Sequence, residues 1–158
     1  MNGDSTKKDR DFTTTISVDQ TPQQAFEAIN NVRGWWSGEI EGPTDELGGE
    51  FTYRYEHLHY SKQKVTELVP DKRVVWLIVD SHLAFTKDKS EWNGTRVTFD
   101  IARKGDKTEV RFTHAGLVPA HECYSACSDA WTSYIRGSLR SLIVTGKGAP
   151  NPIETRTS

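Results

Sequence analysis

Hydrophobic and polar positions fall into three regimes along the chain. One alternating stretch and a short helical pattern come first, a long run of alternation broken by turn residues follows, and a single long helical period closes the sequence. Phe12, Thr14, Ile16 and Val18 share one face of a first, edge-type strand. Thr21-Pro22 then predicts a helix start, with Thr21 as N-cap, Pro22 at the first helical position and Gln24 completing a capping box. This helix is expected to end near Asn30-Asn31, and the glycine-flanked Trp35-Trp36 doublet to form a second short helix or turn that plugs the sheet.

From Glu50 to His57 the alternation is clear. Phe51, Tyr53, Tyr55 and His57 face one way, with His59 continuing that face. Lys62 to Val69 is a polar strand ended by Pro70-Asp71, and Arg73 to Asp80 a strongly apolar one, expected to be covered on both faces along part of its length. Ser81 to Trp92 reads as a loop with an apolar patch, a candidate flap. Thr95 to Arg103 and Thr108 to His114 alternate around the turn Lys104-Gly105-Asp106-Lys107 and predict a hairpin. Val97, Phe99, Ile101, Val110, Phe112 and His114 point inward in it.

After Gly116 and Pro119 the period turns helical from about Glu122 to Thr145. Its apolar positions are Cys123, Cys127, Trp131, Tyr134, Ile135, Leu139 and Leu142. Gly137, which costs about 1 kcal/mol against alanine inside a helix, suggests a close approach of backbone to sheet. Gly146 suits the helix C-terminus. The economical way to bury this order is an α+β fold, a curved antiparallel sheet wrapped around the long C-terminal helix, with two short helices after the first strand. Residues 1–10 read as a flexible lead-in, 11–149 as one domain and 150–158 as a tail.

Composition narrows the partners. A net charge of −2 does not suit a polyanion binder, so nucleic acid is not expected. No apolar run is long enough to span a membrane, and no secretory signal opens the chain, so a reduced, cytoplasmic location is the expectation. Aromatics are 10 % of residues against only 35 % hydrophobic in all, so large rings must carry much of the burial. Cys123 and Cys127, four apart on a helix, are poorly placed for an unstrained disulfide.

The candidate cavity wall is Trp35, Phe51, Tyr53, Tyr55, His57, Trp76, Phe99, Phe112, His114, Cys127, Trp131 and Tyr134. Tyrosine and histidine tips facing inward need partners. They either line a cleft for an apolar molecule with a few polar atoms or bond backbone groups at the rim. His57 and His59 point the same way, and with His114 or Cys127 they have zinc-ligand chemistry, as do His121, Cys123 and Cys127. Hydrogen-bonded histidines are far commoner, and neither a metal nor a cofactor is expected. Among Glu67, Asp80, Asp100, His114 and Asp129, the best acid–base candidates are Asp80 and His114, each at a strand end.

Taken together, Ile16-Ser17-Val18 with Pro22 to Phe26, the Trp35-Trp36 plug, Gly48-Gly49-Glu50-Phe51, Val65 to Pro70 with Val74-Val75-Trp76, the Thr108 to His114 strand with Gly116, and Trp131 to Leu142 carry a resemblance. The chain resembles the START-like, SRPBCC or helix-grip superfamily, in the branch named for the activator of the heat-shock-protein-ninety ATPase. The resemblance implies a deep cavity between sheet and helix for a small hydrophobic or amphipathic molecule. It supplies no mechanism, since the superfamily holds carriers, cyclases and hydrolase-like enzymes alike. Two alternatives follow: a cyclase- or hydrolase-like activity on the bound molecule, and a chaperone-ATPase regulator without a cavity. Members that stimulate the chaperone usually carry an additional N-terminal domain for which this chain is expected to have no room. A homodimer through the edge strand or the flap is left open.

Overall fold

A computed structural model of the protein describes residues 11–36, 39–55, 59–83, 92–118 and 124–148. Seven antiparallel strands form one curved, open sheet. They are β1 (Phe12–Val18), β2 (Glu39–Glu41), β3 (Glu50–Tyr55), β4 (His59–Val69), β5 (Arg73–Leu83), β6 (Arg96–Lys104) and β7 (Lys107–Ala115), in the spatial order β1-β7-β6-β5-β4-β3-β2. Helix α1 (Pro22–Asn30) and a 3₁₀ turn (Val32–Gly34) follow β1. The chain closes with α2 (Tyr124–Thr132), a π-helical segment (Ser133–Leu139) and α3 (Arg140–Thr145), continuous as one long helix.

Local chemistry sets these elements. The Gln24 backbone N–H donates to Thr21 Oγ1 at 3.1 Å and the Thr21 N–H to Gln24 Oε1 at 2.9 Å, so the capping box forms in full. Gly105 takes φ +64° in the β6–β7 turn, which a side chain would resist. Gly146, at φ +84°, ends α3 with its N–H on the Leu142 carbonyl.

The long helix departs from the expectation in its middle. Its buried apolar positions Cys127, Trp131, Ile135, Leu139 and Ile143 recur every four residues. An α-helix at 3.6 residues per turn drifts about 40° with each such step. The wider π turns between Ser133 and Leu139 take up that drift and keep the buried row on the sheet. The last apolar contact therefore falls on Ile143, with Leu142 half-buried. Gly137 does not approach the sheet: a Cβ built there meets open space. The close approach lies at Gly148 instead, where a Cβ would stand 2.1 Å from the Gly34 carbonyl oxygen.

Three further differences concern strands. The three-residue β2 pairs with β3 at the sheet edge, where a loop was expected. Strand β4 begins at His59 rather than Lys62, and β5 runs on to Leu83 because His59 pairs with Leu83 across the sheet. A register shift opposite Lys62 and Gln63 leaves Val79 and Asp80 both exposed before the alternation resumes with buried Ser81. Of the expected loop and flap from Ser81 to Trp92, Ser81 to Leu83 belong to β5 and residues 84–91 lie outside the described residues.

The helix is pinned to β1 on one flank and to the tryptophan plug on the other. Arg136 Nη1 donates to the Thr15 carbonyl at 2.7 Å, and Ser138 Oγ to the Trp35 carbonyl at 2.7 Å. Between helix and sheet, Trp35, Trp76, Phe99 and Phe112 are fully buried and meet edge to face or stacked, with Trp76 and Phe99 at 5.1 Å and Phe99 and Phe112 at 5.2 Å. The deep half of the hollow is therefore solid.

Candidate functional site

Beyond that solid layer the hollow stays open as a cleft of about 300 Å³. The sheet contributes Tyr53, Tyr55 and His59, the plug contributes Trp36, and Trp92 stands ahead of β6. The helix contributes Ala126, Cys127, Ala130, Trp131 and Tyr134. Spacings of three and four residues put those five on one helical face. The two alanines leave room where longer side chains would have closed the space.

The tryptophan doublet divides its work. Trp35 lies in the core, stacked on Trp76 at 6.3 Å with its Nε1 donating to the Ile29 carbonyl at 3.1 Å. Trp36 stacks face to face on Tyr53, at 4.2 Å and 4°, and touches Trp131 at 5.1 Å. Trp131 in turn stacks on Trp92 at 5.9 Å.

The sequence-predicted wall therefore separates by depth. Tyr53, Tyr55, Cys127, Trp131 and Tyr134 line the cleft. Trp35, Phe51, Trp76, Phe99, Phe112 and His114 lie behind it, fully buried among other rings, Trp35 from the plug and the rest from the inner face of the sheet. His57 lies outside the described residues, as do His121 and Cys123. Sequence reasoning placed Trp36 in the plug and Trp92 in the flap, and weighed His59 only as a metal ligand. It passed over Ala126 and Ala130, whose signal was available in their spacing with Cys127, Trp131 and Tyr134.

His114 is a strut. Indole nitrogen only donates, so the Trp131 Nε1–H at 3.1 Å fixes His114 Nδ1 as an acceptor. The neutral ring then carries its proton on Nε2 and donates to Thr95 Oγ1 at 2.8 Å, and Thr95 Oγ1 donates to the Trp92 carbonyl at 2.6 Å. This chain, buried throughout, ties the ring of Trp131 to the backbone that presents Trp92. Both ring nitrogens of His114 are committed to it, which leaves neither for proton transfer in the cleft. Asp80 is also misplaced for that role, since the register shift turns it to the exposed surface, where it accepts from the Ser81 N–H at 3.0 Å. Glu67 and Asp100 bridge to Arg73 on that same outer face. Among the described residues, no three His, Cys, Asp or Glu side chains gather as a metal site.

Burial sets the protonation of the cleft. It pushes the His59 imidazole down to about 3, so the ring is neutral at physiological pH. His59 is half-buried as a residue, yet its Nε2 is out of solvent and has no hydrogen-bond partner among the described residues, as is true of Trp92 Nε1. The two rings meet edge to face at 4.5 Å. Burial, and then the neighbouring Tyr134, raise the Tyr53 hydroxyl far above the usual phenol range. Among the described residues, no charged side chain lines the cleft.

A curved antiparallel sheet gripping a long C-terminal helix, with a cleft between them, defines the helix-grip class of α+β proteins. Residues 11–143 match the model of the family described as Activator of Hsp90 ATPase homolog 1-like protein, and the chain belongs to that family. No curated protein matches the chain significantly. Among solved structures, it resembles the Aha1 dimer from Colwellia psychrerythraea, with 24 % identity, TM-score 0.70, and 88 % of this chain and 99 % of that one covered. Protein CV1439 from Chromobacterium violaceum is similar at 14 % identity and TM-score 0.61, over 84 % of this chain and 96 % of that one. CalU16 from Micromonospora echinospora is similar at 15 % identity and TM-score 0.60, over 89 % and 70 %. At these identities the likeness is one of fold. No helix among the described residues is long and apolar enough to cross a membrane.

Proposed function

We propose that the protein binds a small, mainly apolar molecule in the cleft between sheet and helix. The observation that carries this reading is a hollow of about 300 Å³ left open against an otherwise solid aromatic core. That volume stands at the lower end of small-molecule sites, about 300–1,000 Å³. The two strong burial-driven shifts in protonation, at His59 and Tyr53, both fall on its walls, and such shifts cluster at functional sites. Each ~100 Å² of apolar surface covered there contributes about 2.5 kcal/mol towards binding.

Native mass spectrometry of the purified protein tests the reading. A co-purified small molecule, released on mild unfolding, is the expected result. Failure to find an adduct, together with failure of apolar ring compounds to bind the purified protein, contradicts it. The family name brings a rival, regulation of a chaperone ATPase, which the open cleft does not require. Stimulation of that ATPase by the pure protein, unaltered when the cleft is blocked by bulky substitution, would favour the rival. The Colwellia relative is a dimer, and we carry self-association over to this chain only as part of this proposal.

A further inference from the structure

Tyr53 and Tyr134 bring hydroxyls to facing walls of the cleft, and its lining limits what those hydroxyls accept. Tyr53 comes from β3 and Tyr134 from the π-helical segment, so the pair spans sheet and helix. Tyr134 lines the same cleft as Tyr53, with Tyr55 and Cys127 beside them on its walls. The Tyr53 ring is held flat against Trp36 at 4.2 Å, which fixes the direction of its C–O bond. Opposite, Ala126 and Ala130 give the helix a low surface against which a ring can lie.

We propose that the Tyr53–Tyr134 hydroxyl pair is the recognition point of the cleft, and that it selects an uncharged, flat ring compound carrying a carbonyl or hydroxyl oxygen. This rests on the ligand-binding reading above and names the class of ligand. Two hydroxyls carry two protons. Either can donate to a ligand oxygen, and the lone pairs of either can accept from a ligand hydroxyl. Among the described residues, an anion meets no Lys or Arg on the walls, and an organic cation meets no carboxylate. Either ion would lose its hydration without a counter-charge in return. A neutral oxygen has no such cost, and the aromatic walls cover the rest of the ring.

Equilibrium dialysis with three matched probes tests this on the full chain: 2-naphthol, 2-methylnaphthalene and 2-naphthoate at neutral pH. The expected order is 2-naphthol tightest, by about fivefold over 2-methylnaphthalene, the worth of one net hydrogen bond. The naphthoate should bind weakest. Tyr134→Phe and Tyr53→Phe should each narrow the preference for 2-naphthol over 2-methylnaphthalene, and the double variant should erase it. Equal binding of the two neutral probes, tightest binding of the naphthoate, or an unchanged preference in both variants would overturn the proposal while leaving the cleft a binding site. If none of the three binds, the ligand-binding reading falls with it.

Discussion

Replacing Trp131 by alanine is expected to lower the unfolding free energy by about 3–5 kcal/mol, the usual cost of removing a buried indole. Trp131 is only 2 % exposed and touches Trp36, Trp92 and Phe112, so its loss opens the core beneath the cleft as well as the cleft wall. It also leaves His114 Nδ1, a buried acceptor, without its donor. Affinity for an apolar ring compound should fall about tenfold, the value of roughly 60 Å² of lost contact. Trp131→Phe separates the two contributions. It keeps a ring in the wall and removes the N–H, so stability should drop by about 1–3 kcal/mol with affinity largely retained. Urea unfolding and ligand titration on both variants check this. An unchanged midpoint and an unchanged affinity in Trp131→Ala would remove the residue from the wall.

Mild acid should destabilise the protein through His59. An unfolded histidine titrates near 6.5, whereas burial holds this one at about 3. Below about pH 6.5 the unfolded chain binds a proton that the folded state refuses, so stability is full above that point and falls as pH drops towards 3. The loss between pH 7 and pH 5 should be about 1–2 kcal/mol, discounted for the residue being half-buried only. His59→Gln should flatten that stretch of the profile. The exposed Asp19–Lys107 pair lowers the carboxyl of Asp19, so its contribution is lost only below the ordinary carboxylate range, outside this window. Urea midpoints at pH 7 and pH 5 decide the matter: an equal acid loss in wild type and His59→Gln would assign the effect elsewhere.

The parts of the fold legible in the sequence were those where one rule acts alone. Strands β3 and β7, and β6 as far as Ile101, alternate because each buries one face. The capping box at Thr21 and the turn at Gly105 depend on neighbours in sequence only. Elements fixed by pairing were not legible. Strand β2 is Glu39, Ile40 and Glu41, with no pattern of its own, and the end of β5 depends on the reach of β4. The π segment left a trace, the four-residue spacing from Cys127 to Ile143, which reads as an ordinary helix until its drift is counted.

The cleft was legible in side but not in depth. Alternation says that Tyr53 and Phe51 face inward together, yet Phe51 ends in the core and Tyr53 at the opening. Nor does any spacing in the sequence pair His114 with Trp131, the contact that turns a candidate acid–base group into a structural strut.

Nitrogen-labelled indole resonances offer the most direct view of whether a guest enters this space. On saturation with 2-naphthol, the account predicts the largest shifts at Trp36, Trp92 and Trp131, with those of Trp35 and Trp76 much smaller. Shifts absent from all five, or greatest at the two core rings, would contradict it.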